Sequence, residues 1–279
     1  MARAYIVGAG PGDPRLLTLA AVEALQEADV VLCDRLVSNE VLAFCKVDAE
    51  IIYVGKIAGE QEKTQTEIFE LFFKYAETDS VLLRLKGGDP YVFGRGGEEY
   101  IKLKELAYDV ITIPGVSAAV GLPTLLGIPL TARNTSSGFA VVTGHNAHGT
   151  TTDWHAYAKI DTLVILMAVR QRKEIADSLI EAGRPPDEPV AFIENGGSQQ
   201  QKITRSTLVD VANGLVNVES PAVFVVGQTT KLLCDEQSTN ITFPPLRLSF
   251  TATKFSKLRL VKSNFKARTC LNKARRKKS

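Results

Sequence analysis

The sequence predicts an α/β fold made of two α/β domains with a cleft between them. Across the first half, short apolar runs of strand length alternate with segments of helical period, the pattern of a sheet crossed by helices. Residues 114–131 interrupt that alternation with three prolines and three glycines, a density that marks a junction. The alternation then starts again. A chain of 279 residues has room for two such units. The predicted division is 1–114, 115–243 and a tail over 244–279.

In chain order, AYIVGAG (4–10) reads as a buried strand. Residues 13–29 follow as one helix, with Asp13 as its cap, Pro14 in its first turn, and Leu17, Ala21, Leu25 and Ala28 on one face. DVVLCD (29–34) is a strand ending on Asp34. A helix over 64–77 leads to the strand SVLLRLK (80–86), then to a glycine loop, a helix starting near Gly97, and the strand DVITI. After the junction come strands at 138–145 and 161–169, a helix from Arg172, a strand at 188–196, a helix near 206–216, and a strand at 220–227.

Composition narrows the function classes. Hydrophobic residues at 45% and charged ones at 23% suit a soluble globular chain rather than a disordered one. No apolar run approaches the ~18 residues of a membrane span, and MARAYIVGAGPG has no signal-peptide pattern, so a cytoplasmic protein is expected. The four cysteines lack CxxC spacing, which points to reduced thiols and away from a metal centre. His145, His148 and His155 fit no HExxH helix, so no metal is expected. Of the 33 basic residues, 12 lie in 247–278, where no acidic residue occurs; the remainder carries 21 basic against 31 acidic side chains. The body is therefore acidic. The basic tail lacks apolar periodicity and reads as disordered. Such a tail attracts nucleic acid only without sequence preference, so it is read as an appendage to the core activity.

Two loops carry the chemistry. GAGPGDP (8–14) stands between a strand and a helix, as nucleotide loops do, but it reads GxGxG where the dinucleotide fingerprint is GxGxxG. Pro11 removes an amide donor, Asp13 puts a carboxylate where pyrophosphate would dock, and no GK[ST] follows. A plain tight turn stays open for this motif alone, and a nicotinamide oxidoreductase is the distant second reading. GGDP (87–90) repeats the arrangement at another strand end: glycines allow close backbone approach, and Asp89 supplies negative charge. Two such ends suit a cationic ligand rich in hydrogen-bonding edges, a description that S-adenosylmethionine meets. In FGRGGEE (93–99), Arg95 sits between two glycines just before a helix, placed for a carboxylate. Glutamate in that first turn complements the helix dipole, and for Glu99 this reading stands level with a functional one.

VGAGPGDPRLLTL, LCDRLVS, VGK, RLKGGDPYVFGRGGEE, PGVSAA, GIPLTAR, VTGH, LIEAGRPPDEPVAFIENG and SPAVFVVG occur in order, and together they resemble the uroporphyrinogen-III C-methyltransferases. The likeness covers about residues 3–243 and excludes the tail. It implies the tetrapyrrole methylase fold, a homodimer, and methylation of uroporphyrinogen III by S-adenosylmethionine at two ring carbons to give precorrin-2. It implies cofactor contacts at Pro11, Gly87, Gly88, Asp89, Val92, Ser117, Ala118, Met167 and Gly196. Asp34 and Lys56 match the proton acceptor and donor, and Arg95 matches an arginine of substrate handling and turnover. Arg35, Glu98 and Arg133 match substrate-facing positions. A methylase of a later corrinoid intermediate is the same-fold alternative.

The implied chemistry suits these residue types. Methyl transfer to an electron-rich pyrrole carbon needs alignment above all, the methylated ring then needs a base, and eight substrate carboxylates need fixed cations, for which Arg35, Lys56, Arg95 and Arg133 are candidates. Departures from the family pattern are Cys33 for tyrosine, Ile57 and Gln61 in GKIAGEQ, Ala132 and Asn134 in TARN, and Ala168 after Met167. The lost polar groups and cation bear on the substrate side, Ala168 follows the cofactor methionine, and the cofactor loops are nearly intact.

Overall fold

The computed structural model describes residues 2–54, 65–145 and 152–232, all of them within one compact unit, Met1–Phe243. The basic tail, Lys56, Ile57, Gln61, His148, Cys234 and Cys270 lie outside the described residues.

The first half is built on β1 (Arg3–Gly8), β2 (Val30–Cys33), β3 (Glu50–Tyr53), β4 (Leu82–Lys86) and β5 (Asp109–Ile113), in the order β3-β2-β4-β1-β5. Every pairing is parallel, so all five strands end on one edge. Between them run α1 (Leu19–Glu27), a short α2 (Asn39–Leu42), α3 (Gln65–Ala76) and α4 (Gly96–Glu105). The period of two sorts the strand side chains onto two cores. Tyr5, Val7, Val31, Cys33, Leu83 and Leu85 pack with Ala21, Ala24 and Leu25 of α1. Ala4, Ile6, Val30, Leu32 and Leu82 pack with Phe72 of α3 and Leu103 of α4.

Helix α5 (Ala118–Leu125) opens the second half. It is followed by β6 (Phe139–Thr143), α6 (Trp154–Tyr157), β7 (Thr162–Leu166), α7 (Arg172–Glu181), β8 (Pro189–Glu194), β9 (Lys202–Thr207), α8 (Leu208–Ala212) and β10 (Ala222–Val226). The sheet order is β6-β7-β10-β8-β9, with β6 and β7 parallel and β10 antiparallel to both neighbours. The same alternation holds. Leu163, Ile165, Phe192 and Phe224 face α7 and α8, and the Phe192 and Phe224 rings stack at 4.2 Å. Val164, Ala191, Ile193, Val223 and Val225 face Ala119 and Leu122 of α5.

Three expectations need correction. The helix expected over 13–29 is two elements. Asp13 accepts from Arg15 N and caps a 3-10 turn at Pro14–Leu16, Leu17 is extended, and Thr18 then caps α1 by accepting from Ala21 N. The junction at 114–131 contains α5, which Ser117 caps. Its Pro123 stands in the last turn, where Leu126 closes the helix by donating to Leu122 O and Pro123 O. Two strands and two helices went unread: β3, the four-residue α2 and α6, and β9, an edge strand whose KITRST is too polar to signal burial.

Candidate active site

Ligands of open α/β sheets bind beyond the carboxyl ends of the strands. At that edge of the first sheet the loops after β1, β4 and β5 touch backbone to backbone. Gly10 N donates to Gly88 O at 3.2 Å and Gly88 N to Gly10 O at 2.8 Å. A Cβ on Gly8 would lie 2.5 Å from Gly115 N, and one on Gly115 would lie 2.2 Å from Gly88 O. Much of the glycine in these loops therefore serves contact between loops. What faces outward is main chain: Gly88 turns at φ 67°, and a Cβ there would come within 3.6 Å of Ala118 N and 3.9 Å of Ser117 Cα. That leaves a glycine-floored cradle edged by Gly87, Gly88, Ser117 and Ala118.

Asp89 is spent on building this cradle. Its Oδ1 accepts from Tyr91 N at 2.9 Å and its Oδ2 from Gly115 N at 3.1 Å, tying the β4 loop to the β5 loop. The carboxylate that the sequence analysis set toward a cation also holds the two loops together. Val92 follows in the same turn, its N–H donating to Asp89 O. Asp13 likewise turns inward. Burial opposes its charge, but hydrogen bonds from the Arg15 side chain and backbone hold its carboxyl below the ordinary range.

The loop after β8 joins the cradle from the second sheet. A Cβ on Gly197 would lie 2.7 Å from Pro11 O, and one on Gly196 2.5 Å from Leu122 of α5. Met167 follows β7 at φ 56°. β7 and β8 each pair antiparallel with β10, so Met167 and Gly196 share one edge of their sheet. Arg133 does not join them. Its loop is pinned to the start of β7, where Ser137 N and Oγ donate to Asp161. Arg133 and Asp161 also line one shallow hollow of about 660 Å³. The five residues of β7, at ~3.3 Å each, separate that loop from Met167 by about 16 Å. The departures Ala132 and Asn134 belong to this turn: Ala132 and Ser136 exchange hydrogen bonds at 3.0 and 2.9 Å, and Asn134 takes the left-handed φ of 64°.

Arg95 caps α4 with its carbonyl, in a left-handed conformation. Its guanidinium meets Glu98 through Nε at 3.1 Å and Nη2 at 2.6 Å. Both side chains are more than half exposed, so the pair contributes little to stability. The hydrogen bond from Arg95 holds the Glu98 carboxyl low, against slight burial. Arg35 is exposed beside Asp34 at the end of β2.

Beneath this edge lies a feature that strand and helix periodicity concealed. Arg84 and Lys86 share the face of β4 that Leu82 gives to the core, and both are buried. Glu99, in the first turn of α4, is fully buried and pairs with both. Arg84 Nε donates to Glu99 Oε1 at 3.0 Å, and Lys86 Nζ to the same oxygen at 3.1 Å. Glu99 Oε2 is 3.0 Å from Lys86 Nζ but off the direction a hydrogen bond needs. Asp34 closes the cluster: Oδ1 accepts from Arg84 Nη2, and Oδ2 lies 3.6 Å from Lys86 Nζ. Burial, then the charge of Arg84, pushes the Lys86 ammonium below the ordinary lysine value, against Asp34 and Glu99. Burial works the same way on Arg84, but the two carboxylates hold its guanidinium above its ordinary value. Glu99 is thus a core ion-pair partner, and helix-dipole complementation does not describe it. Two cations two residues apart on a central strand, followed by an acidic first turn, were the available signal.

Among the described residues, no three His, Cys, Asp or Glu side chains group to hold a metal ion. No helix there is long and apolar enough to cross a membrane.

A parallel sheet whose glycine loops meet a second, mixed sheet at one edge defines a class, and residues 3–212 match its family description, tetrapyrrole (corrin/porphyrin) methylases. The chain belongs to that family. It is 40% identical over 236 residues to the uroporphyrinogen-III C-methyltransferase of Methanocaldococcus jannaschii, covering 83% of this chain and 98% of that one. It is 41% identical over 228 residues to siroheme synthase 2 of Cronobacter sakazakii, covering 81% of this chain but spanning only 50% of that protein. The crystal structure of the Thermus thermophilus uroporphyrin-III C-methyl transferase complexed with S-adenyl homocysteine superposes with a TM-score of 0.75 at 42% identity, over 83% of this chain and 100% of that one.

Proposed function

We propose that this chain methylates uroporphyrinogen III at two ring carbons, with S-adenosylmethionine as donor, to give precorrin-2 for sirohaem- or cobalamin-type tetrapyrroles. The carrying observation is the main-chain cradle formed where Gly88 meets Ser117 and Ala118 with no side chain between them, because a bare glycine backbone lets a flat nucleoside approach closely. A relative of the same family carries the demethylated cofactor in its crystal structure, and relatives named for this reaction match across most of the chain.

S-adenosylmethionine supplies an electrophilic methyl group when bound. The chain's own residues do the rest. Gly87, Gly88, Ser117, Ala118 and Val92 would hold the nucleoside edge, and Pro11, Met167 and Gly196 the side approached from the second sheet. Asp89 supports the cradle through Tyr91 N and Gly115 N. Arg35 and Arg95 would meet substrate carboxylates, Arg95 by exchanging Glu98 for one of them, a swap of two exposed ion pairs that costs little. Asp34, its side chain 30% exposed at the end of β2, would accept the proton that the methylated pyrrole carbon must lose. Lys56 as proton donor and Arg133 as a substrate contact are carried by resemblance alone. The proposed division into domains at residues 114 and 115 places the cradle at their junction, and a cytoplasmic homodimer is the expected form.

The test is incubation with uroporphyrinogen III and methyl-labelled S-adenosylmethionine, followed by mass spectrometry. A product carrying two labelled methyl groups, each in place of a lost proton, is expected. An unlabelled tetrapyrrole refutes the proposal, and labelling of a later corrinoid instead moves the chain to the alternative substrate.

A further inference from the structure

The buried charges on β4 and α4 are more than stability requires. A buried ion cluster is, in general, no more stabilising than apolar side chains of the same volume, and the neighbouring position Leu82 shows that this face of β4 accepts one. Yet Arg84, Lys86 and Glu99 are all but sealed from solvent, with relative exposures of 2%, 3% and 0%. Asp34 is the member that opens outward. The cluster is therefore lopsided: three sealed groups converge on one accessible carboxylate.

We propose that Lys86 and Glu99 are positioning residues for Asp34 in the methylation reaction. This inference rests on the reading of Asp34 as the proton acceptor. A free aspartate carboxylate turns readily about its last torsion. Here Arg84 takes Oδ1 and Lys86 faces Oδ2 at 3.6 Å, so the carboxylate plane is set from two sides. Neither cation could keep that position unaided. Arg84 is located by Glu99 through Nε and by Leu32 O and Leu85 O through Nη1, at 3.2 and 3.1 Å. Lys86 is located by Glu99. Glu99 is steadied in turn by Gln65 of α3, whose Nε2 donates to Oε1 at 3.4 Å. The chain of contacts runs from two helices, through β4, to the end of β2. A base must first lie in the right place before its affinity for a proton matters, and this cluster fixes the place. The depressed ammonium of Lys86 is consistent with a charge balance in which each member depends on the others.

The test separates positioning from folding. Glu99→Gln alone leaves two buried cations against one anion and endangers the fold. The double variant Lys86→Met/Glu99→Gln removes one charge of each sign and leaves Arg84 paired with Asp34. The expected result is a Tm and an S-adenosylhomocysteine Kd close to those of the wild type, a tetrapyrrole KM within about threefold, and a kcat lower by about 100-fold, the scale of an ångström-level misplacement. A double variant that turns over within threefold of the wild type overturns the inference. So does parallel loss of Tm, cofactor binding and turnover, which would make the cluster a fold support. Should the double variant not fold, Glu99→Asp keeps the charge while drawing the anchor back by one methylene. It should retain cofactor binding and lose at least about tenfold in kcat, and an unchanged kcat overturns the inference. The wild-type chain runs alongside: if it forms no methylated product, the proposed reaction has failed, independently of what the variants do.

Discussion

Gly115→Ala tests whether the proposed cofactor cradle is made by three backbones in contact. The added Cβ would stand 2.2 Å from Gly88 O, 2.7 Å from Gly8 Cα and 2.8 Å from Gly8 C. Ordinary carbon contacts begin near 3.5 Å, so the β4 and β5 loops must part by roughly 1 Å or more. Each obstructing atom is main chain of a glycine, and no side chain can swing away. The parting also pulls Gly115 N from Asp89 Oδ2, and moves Gly88 relative to Ser117 and Ala118. Overpacking of this kind costs about 1–3 kcal/mol, which for a domain of this size lowers Tm by roughly 2–12 °C. Loss of a hydrogen bond to a charged group, worth about 1.5–3 kcal/mol, would weaken the cofactor site by about 10- to 100-fold if the cradle depends on it. Calorimetric titration with S-adenosylhomocysteine and a thermal melt on the same preparation are sufficient. A variant that binds within twofold of the wild type, with an unchanged Tm, would show that the loops are not in contact as described.

Arg95→Ala and Asp89→Asn should divide the site. The first loses roughly 10- to 100-fold in kcat/KM for the tetrapyrrole through a missing charged hydrogen bond, with S-adenosylhomocysteine affinity within twofold. The second leaves one of the two backbone amides facing a donor and the other a neutral acceptor, and weakens cofactor binding first; equal losses from both variants would contradict the division. Burial pushes the Cys33 thiol up to about 12 and the Cys45 thiol up to about 11, so both stay protonated and unreactive at neutral pH. Alkylation followed by peptide mapping should modify Cys33 after denaturation and spare it in the folded chain, and rapid labelling of folded Cys33 would refute its burial.

The strands were legible because each core strand is a short apolar run closed by glycine or a charge, and the period of two survives in the structure down to single residues: Leu163 and Ile165 face one core, Val164 the other. What escaped was whatever polarity or proline disguised. Pro123 hid α5, although a proline near a helix end removes a hydrogen bond that fraying weakens anyway. Pro14 suggested one long helix where Asp13 and Thr18 each cap a separate element. Arg84 and Lys86 lie in a strand read for its apolar residues, and what the reading passed over was their pairing with Glu99 on the facing helix.

The glycine-rich stretch from Gly87 to Gly97 shows how a ligand motif and a packing motif can be one object. Gly88 is constrained on one side by Gly10 and Gly115, and on the other a Cβ would just reach contact with Ser117 and Ala118. Gly94 and Gly96 answer a different demand: a Cβ on either would lie 2.6 Å from Pro90 O, so the chain can fold back on itself only without side chains there. That fold-back sets the start of α4, and α4 carries Glu99 under β4 while its cap, Arg95, stays in solvent. One turn thus places the exposed cation proposed to meet a substrate carboxylate and the buried anion that locates Arg84 and Lys86. A substitution at Gly96 should consequently disturb both ends of the site together, although Gly96 itself faces neither.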